Sequence, residues 1–176
     1  IATADFASVR KLPVMKECHY SAPAIWNVMQ DSSDLQTAVR KDNVYLWNKL
    51  FDRSLFQEIC FPKGRFYEDT AVMHLLLDKA GKVAVNSNVL YYYYHNPRGT
   101  VHTFDERKIR DCLWAHEERI HFYYTKNYEN DLHHVTHAFL YKAYELYARK
   151  AGVNDKEKRQ ISRKIRKKVR KVFRTY

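Results

Sequence analysis

Residues 61–69 read FPKGRFYED, a turn followed at once by two adjacent carboxylates. Pro fixes one backbone dihedral in the first half of this stretch and Gly supplies conformational freedom, so a tight turn is predicted there. The residues that follow, Glu68 to Ala80, predict the clearest helix of the chain, with Gly81 just past its end. A rigid turn that delivers Glu68 and Asp69 to a helix start is one way to hold a general base at the mouth of a pocket.

The residues on either side of this helix predict strands and short turns. Ala2 to Val9 is predicted as a strand. Two short helical turns are predicted over Tyr45 to Phe51 and Ser54 to Ile59, and a short helix from Ser32-Ser33-Asp34 to Lys41. After the clear helix, Lys82 to Val85 and Val89 to Tyr94 are predicted as two strands separated by Asn86-Ser87-Asn88.

The last third of the chain predicts helices. A helix over Asp105 to Lys126 carries one apolar stripe, and a second over Asn130 to Lys150 carries a similarly spaced set. The first set is Ile109, Cys112, Leu113, His116 and Ile120, and the second is His134, Ala138, Tyr141, Glu145 and Ala148. The predicted fold class is therefore α/β over residues 1–103, a partial mixed sheet with helices, followed by an α-helical region over residues 104–176.

Length and composition limit the function classes. With 176 residues and 45% hydrophobic side chains, the chain can bury one real core. Three cysteines, odd in number and far apart, fit neither a disulfide framework nor a zinc knuckle, so we expect reduced thiols in the cytoplasm. Because the chain begins at Ile1, inside a predicted strand, we expect it to be a piece of a longer protein.

The acid pair has two interpretations. Adjacent residues of a helix point about 100° apart, so one carboxylate can face a cleft while the other is solvated. Alternatively, Glu68 and Asp69 only complement the helix dipole, an effect worth about 0.3–1 kcal/mol. The residue pattern alone leaves both interpretations open.

Three elements in order resemble the second half of family 2 glycosyltransferases with the GT-A fold. They are Trp47-Asn48-Lys49-Leu50, the acid-pair stretch, and the aromatic segment from Leu90 to Thr100. In that family the second acid of the pair is usually taken as the catalytic base of an inverting sugar transfer. The resemblance therefore implies that Asp69 is the base and Glu68 its supporting neighbour.

The resemblance also implies binding residues. Trp47, Asn48 and Lys49 would lie near the donor sugar and acceptor. Apart from the resemblance, the charge of Arg65 beside the turn could neutralise phosphate or hold a carboxylate, or it could simply be solvated. His95, which stands where the family usually has Arg, and Arg98 would lie near the nucleoside diphosphate. His95 is also a candidate metal ligand.

The family binds its donor through an N-terminal βαβ region and an Asp-x-Asp motif that holds Mg²⁺ or Mn²⁺. Neither that motif nor a glycine-rich phosphate loop occurs in these residues. We therefore expect the chain to be the acceptor-side half of the enzyme and to be inactive alone. The implied partners are a nucleotide-sugar donor and a glycan or lipid-linked acceptor, with a role in cell-envelope polysaccharide biosynthesis.

Most of the net charge of +11 lies in the tail. Residues 156–176 carry eleven Lys or Arg and one Glu, whereas the preceding residues are nearly neutral. A helix over about 155–174 would gather an apolar stripe among the cations and suit an anionic membrane surface. The residues expected at that surface are Ile161, Ile165, Lys168, Val169 and Phe173.

Two alternatives remain to a membrane-attached enzyme. The tail is a solvated helix, or the chain is a non-catalytic basic module that binds anionic membrane or nucleic acid through residues 156–176. Nucleic acid is disfavoured because the body is neutral and contains no recognised base-reading module. We expect a cytoplasmic protein, peripheral on the inner face of the plasma membrane, and the Tyr-rich helical surface would suit a homodimer.

Overall fold

A computed structural model describes residues 1–9, 26–29, 44–97, 99 and 106–151, together with five separate residues of the tail. The chain divides into two compact units. The sheet unit comprises Ile1–Cys60 and Val72–Thr103, and the helical unit comprises Phe61–Ala71 and Phe104–Tyr176. The predicted division into a transferase domain and a helical extension stays a prediction, because compactness alone does not delimit a functional domain.

The described residues form strands first and helices towards the C-terminus. The strands are β1 (Ala2–Val9), β2 (Trp26–Met29), β3 (Lys49–Leu50) and β4 (Val83–Tyr94). The α-helices are α1 (Glu68–Ala80), α2 (Glu106–Thr125) and α3 (Glu129–Ala151), and Arg53–Phe56 is a short 3-10 helix. The predicted fold class, α/β followed by a helical region, is confirmed.

The four strands make one mixed sheet in the order β2-β4-β1-β3. β1 and β4 pair in parallel, as expected for strands joined by a long crossover, while β3 pairs antiparallel to β1 and β2 antiparallel to β4. At the β3 edge, Ala2 pairs with Leu50 and Thr3 with Lys49. This backbone pairing brings the Trp47–Lys49 segment to the start of β1.

An irregularity in β4 changes which of its side chains share a face. Thr3 pairs with Val85 and Phe6 with Tyr91, with register shifts on both sides of Asp5. Because Thr3 and Phe6 point to opposite faces of β1, Val85 and Tyr91 do so as well. The bulge therefore places Val85 on one face of the sheet and Tyr91 and Tyr93 on the other.

Each unit has its own core. In the sheet unit, Met73 and Leu77 of α1 pack on Val83, with Ile1 and Val85 beside them. The helical unit buries a cluster between α2 and α3 that includes Ile109, Leu113, Ile120, Val135 and Phe139. Gly81 ends α1 with a φ of 63°, a left-handed conformation that Gly adopts without steric cost.

Several local predictions are confirmed. β1 and α1 have the predicted bounds, the turn before α1 forms, and the predicted α2 stripe is buried. The turn is closed by the Arg65 N–H, which donates to the Pro62 carbonyl at 3.4 Å. The short helix predicted from Ser32 lies outside the described residues.

Three local predictions are wrong. Tyr45–Phe51 is not a helical turn, because Lys49 and Leu50 pair with β1 instead. Asn86–Asn88 does not separate two strands but forms the irregular part of β4, where the Asn88 N–H donates to Asn86 Oδ1 at 2.8 Å. The buried face of α3 is centred on Val135, Phe139 and Ala143, while Tyr141 of the predicted stripe is 66% exposed.

Replacing Asn48 by Ala is expected to destabilise the sheet unit. The Asn48 side chain is buried and donates from Nδ2 to the Ala4 carbonyl at 3.0 Å, while its backbone carbonyl accepts the Ala4 N–H at 3.3 Å. Leaving the buried Ala4 carbonyl without this donor costs about 1–3 kcal/mol. Urea unfolding should therefore give a lower free energy of unfolding for Asn48→Ala.

Gln57→Ala is the matched control, since Gln57 is exposed in the same unit. It should change the free energy of unfolding by less than about 0.5 kcal/mol. Equal losses for the two variants would contradict a specific role for the Asn48 amide.

Candidate functional site

The acid pair occupies the first turn of α1, in the helical unit. Glu68 is exposed and Asp69 is half-buried, so the two carboxylates meet different environments, as adjacent helix positions should. Asp69 Oδ1 accepts the Thr70 N–H at 2.6 Å and lies 3.3 Å from the Thr70 hydroxyl. One carboxylate of the pair is thus oriented by its neighbour while the other extends into water.

Burial raises the pKa of Asp69 above its ordinary value of 3.8. The hydrogen bonds from Thr70 act in the opposite direction, and the nearby charge of Glu68 adds to the rise. Desolvation is the larger effect. A carboxylate with a raised pKa is a stronger proton acceptor than a solvated one, which is the property that a general base needs.

Tyr67, directly before the pair, has a φ of 61°. A non-glycine residue in this left-handed region costs about 1–2 kcal/mol. The conformation is held on both sides, because the Tyr67 carbonyl accepts the Ala71 N–H at 3.1 Å and its ring packs against the helical core cluster. Its side chain also hydrogen-bonds Cys112, whose thiol pKa is raised by burial to about 12. Cys112 is therefore a neutral structural thiol.

Arg65, predicted to bind phosphate or a carboxylate, is engaged within the helical unit. Its guanidinium lies 3.4 Å from Asp111 Oδ1 and 4.1 Å from the centre of the Trp114 ring. The Arg65 side chain is 42% exposed, so these contacts do not enclose it. The structure thus gives Arg65 a structural partner beside the acid pair, and its contact with substrate stays a prediction.

Trp47 lies in an aromatic cluster on the tyrosine face of the sheet unit. Its ring stacks on Tyr45 and Tyr93 at centroid distances of 4.9 and 5.0 Å, and is tilted against Tyr91 at 4.6 Å. The edge of Phe6 completes the cluster at 4.8 Å. Tyr45 and Tyr91 are partly exposed, so the cluster keeps aromatic surface in contact with solvent.

The residues after Trp47 hold their own segment together. Asn48 binds the backbone of β1, as described above, and the Lys49 ammonium donates to the Tyr45 carbonyl at 2.6 Å and to Asn48 Oδ1 at 2.8 Å. The predicted substrate-binding residues Trp47, Asn48 and Lys49 are therefore brought together in one tightly bonded segment. These contacts explain the spacing of the motif without a ligand.

His95 lies at the end of the same cluster. Its Nε2 is 2.5 Å from the Ser8 hydroxyl, and its ring meets the Tyr93 ring edge-on at 5.2 Å. Ser8 had no role in the sequence-based prediction, although its pairing with Tyr93 follows once the strand register is known. Arg98 lies outside the described residues.

A metal site needs several His, Cys, Asp or Glu side chains close together. No group of three or more His, Cys, Asp or Glu in these parts of the chain could hold a metal ion. His95, the predicted ligand, has Ser8 as its described polar contact.

The tail residues expected to enter a membrane, Ile161, Ile165, Lys168, Val169 and Phe173, also lie outside the described residues. Five other tail residues are described, and each is helical and exposed: Lys156, Arg159, Arg163, Lys167 and Arg170. These five residues form the basic stripe. Among the described residues, no helix combines the length and the apolar character needed to cross a bilayer.

Compared with known proteins, the chain matches no protein-family model and no curated protein sequence.

Replacing Asp69 by Asn is expected to raise the free energy of unfolding at neutral pH. Because burial raises the Asp69 pKa, the folded chain retains this proton to a higher pH than the unfolded chain does. The stability contributed by the protonated group is complete below pH 3.8 and is lost as the pH rises through the raised pKa. The advantage of Asp69→Asn should therefore grow from acid to neutral pH in urea unfolding experiments.

Glu68→Gln is the control, because that side chain is exposed on the same helical turn. The difference in free energy of unfolding between Glu68→Gln and the parent chain should change much less with pH. A difference for Asp69→Asn that shrinks as the pH rises would show that hydrogen bonding, and not burial, dominates the Asp69 environment.

Proposed function

We propose that this chain is the acceptor-side part of an inverting glycosyltransferase, with Asp69 as the general base. The observation that carries the proposal is the environment of the acid pair. A half-buried carboxylate with a raised pKa stands beside an exposed one, at a helix start held by a left-handed residue. Perturbed carboxylates and strained backbone are both enriched at catalytic sites.

The alternative, in which the pair only complements the helix dipole, is less consistent with these observations. The positive end of a helix stabilises the ionised form of a nearby acid, and a purely stabilising role would therefore favour a lowered pKa. The pKa of Asp69 is raised instead, because burial outweighs its hydrogen bonds. Asp69 is held where ionisation costs free energy, which supports a chemical role over a stabilising one.

The proposed step is a single displacement. Asp69 accepts the proton of an acceptor hydroxyl as that oxygen forms a bond to the anomeric carbon of the donor sugar. The bond from the anomeric carbon to the leaving phosphate breaks, and its electron pair departs with the nucleoside diphosphate. Attack from the opposite side inverts the anomeric configuration. The base must lie about 2.6–3.2 Å from the hydroxyl oxygen that it deprotonates.

The aromatic cluster of the sheet unit is suited to binding a carbohydrate or a nucleotide. Partly exposed Tyr45 and Tyr91 present ring faces, and the Ser8–His95 pair adds polar groups at the edge of the cluster. Flat aromatic surface with a few placed polar groups is a common composition of small-molecule sites. The main ligands of Mg²⁺ or Mn²⁺ are expected in the nucleotide-binding region outside this chain, and among the described residues no group of three or more His, Cys, Asp or Glu could hold the ion.

We further propose that the basic stripe attaches the protein to an anionic membrane surface. Its members follow one another at intervals of 3, 4, 4 and 3 residues. On the helix that the sequence predicts over about 155–174, with 3.6 residues per turn, these intervals place the five cations within about 80° of one another over a length of about 21 Å. Each cation near an anionic bilayer contributes about 1 kcal/mol, so five exposed cations provide reversible binding that weakens with salt. This attachment would place the enzyme on the cytoplasmic face of the plasma membrane, close to a lipid-linked acceptor.

Asp69→Asn is expected to reduce turnover by about 10²–10⁴-fold while leaving donor binding intact, because general-base catalysis contributes about that factor. The measurement is release of nucleoside diphosphate, screened over common sugar nucleotides with Mn²⁺. The protein tested contains this chain together with the nucleotide-binding region that the proposal places upstream of Ile1.

Asp78→Asn is the matched control, since Asp78 lies on the same helix, far from its first turn. Its turnover should remain close to that of the parent. Equal turnover for Asp69→Asn and the parent would remove Asp69 from the mechanism. Absence of donor binding and turnover in the parent would reject the glycosyltransferase itself.

Changing the five stripe residues to Gln is expected to weaken co-sedimentation with vesicles of phosphatidylcholine and phosphatidylglycerol, because five of the eleven basic side chains of the tail lose their charge. The control carries the same loss of charge at five exposed basic residues outside the stripe and should retain binding. These control positions are Arg53, Lys63, Lys82, Arg110 and Lys126. Equal loss in both variants would indicate a general charge effect. Binding to DNA but not to the vesicles would identify the tail as a nucleic-acid surface and overturn membrane attachment.

A further inference from the structure

The turn before the acid pair is fixed by a carboxylate that the sequence analysis did not single out. Asp111 lies on α2 and is 3% exposed. Its Oδ1 lies 3.4 Å from the Arg65 guanidinium, and its Oδ2 accepts the Phe66 backbone N–H at 3.2 Å. The two oxygens of this buried carboxylate therefore contact two consecutive residues, Arg65 through Oδ1 and Phe66 through Oδ2.

A second residue of α2 reinforces this contact. Arg107 lies one helical turn before Asp111, with its Nε 3.9 Å from Asp111 Oδ2. Its guanidinium also donates to the Gly64 carbonyl. Gly64 has a φ of 74°, and the Arg107 guanidinium lies 5.6 Å from the Phe66 ring. Residues 64–66 are thus held from α2 by backbone, charge and ring contacts together.

The constraint extends from the turn to the acid pair through a short length of chain. Phe66, fixed by Asp111, is followed by the left-handed Tyr67, whose side chain hydrogen-bonds Cys112, the residue after Asp111. The next residue opens α1, and Asp69 follows it. With both Phe66 and Tyr67 anchored on α2, little backbone freedom remains between the anchor and Asp69.

We propose that Asp111 is a positioning residue for Asp69, because it fixes the turn that determines where α1 begins and how Asp69 is presented. The inference rests on the proposed function of Asp69 as the general base. Asp111 itself touches neither substrate nor reacting atoms in this account. It acts through Phe66 and Tyr67.

A positioning role differs from general stabilisation in what it changes. Loss of the Asp111 charge would weaken its ion pairs with Arg65 and Arg107 and loosen the turn that they hold, so water would reach Asp69 more easily. The pKa of Asp69, raised by burial, would then fall towards 3.8. A displacement of about 1 Å at a catalytic group can cost about 10²-fold in rate.

The test compares Asp111→Asn with two controls. The variant keeps an acceptor for the Phe66 N–H and removes the charge that holds Arg65 and Arg107. Asp131→Asn removes another carboxylate of the helical unit, 6% exposed, from α3, and Arg110→Gln changes an exposed neighbour on α2. Arg107→Gln, at a partly exposed site, serves as the milder variant if Asp111→Asn does not fold.

Two readouts are taken. The pKa of Asp69 is measured in this chain by NMR titration of its side-chain carboxyl carbon, and turnover is measured in the active protein as a function of pH. For Asp111→Asn we expect the Asp69 pKa to move towards 3.8 and kcat to fall about 10–100-fold with little change in donor KM. The acidic limb of the pH–rate profile should move to lower pH by the same amount.

The outcomes separate the inference from the proposed function. An Asp69 pKa that stays at its parent value in Asp111→Asn, or that moves equally in Asp131→Asn, would overturn the positioning role. Absence of turnover in the parent with every donor would reject the glycosyltransferase proposal, while the titration would still decide whether Asp111 positions Asp69.

Discussion

The helical unit depends on one buried carboxylate. Removing an unpaired carboxylate from water costs several kcal/mol, so Asp111 is compatible with folding only if donors meet both of its oxygens. Those donors come from residues 65 and 66, which belong to a turn and not to the helices. The buried carboxylate therefore needs the turn, because the turn supplies its hydrogen-bond donors. The same hydrogen bonds hold the turn against α2.

The sheet unit uses a buried amide in a comparable way. Asn48 satisfies the backbone of Ala4 and brings the short strand β3 against β1, where only two residue pairs are made. So short a pairing is weak by itself, and the aromatic cluster around Trp47 adds apolar contact to it. The motif Trp47-Asn48-Lys49 therefore has a complete structural explanation, and any contact with a ligand is an additional use of residues already needed for folding.

The sequence predicted those elements whose signals are local. α1 has a clear helical period and ends at Gly81, so its bounds follow from its own sequence, and β1 was also predicted with its observed bounds. Predictions from local sequence were wrong where pairing with a distant strand determines the conformation. Lys49 and Leu50 are extended because Ala2 and Thr3 pair with them, and Asn86–Asn88 stays within β4 because the neighbouring strand tolerates a bulge.

For the candidate site, too, only the residues with a local signal could be named from the sequence. Glu68 and Asp69 are adjacent in sequence and follow a recognisable turn, so the pair could be named without a structure. Asp111 could not, because its partners lie far away along the chain. Its spacing of four residues from Arg107 predicts an ordinary surface ion pair on a helix. The available signal was a carboxylate beside the apolar stripe of α2, next to Cys112.

Three features around the acid pair each oppose stability. Tyr67 adopts a left-handed backbone that Gly or Asn would adopt at lower cost, Asp111 is desolvated, and Asp69 ionises against the effect of burial. A turn needed only to start a helix would do better with a small residue and a solvated cap. Their occurrence together at one turn is the pattern expected where a carboxylate must be held in place and kept basic, at the expense of stability.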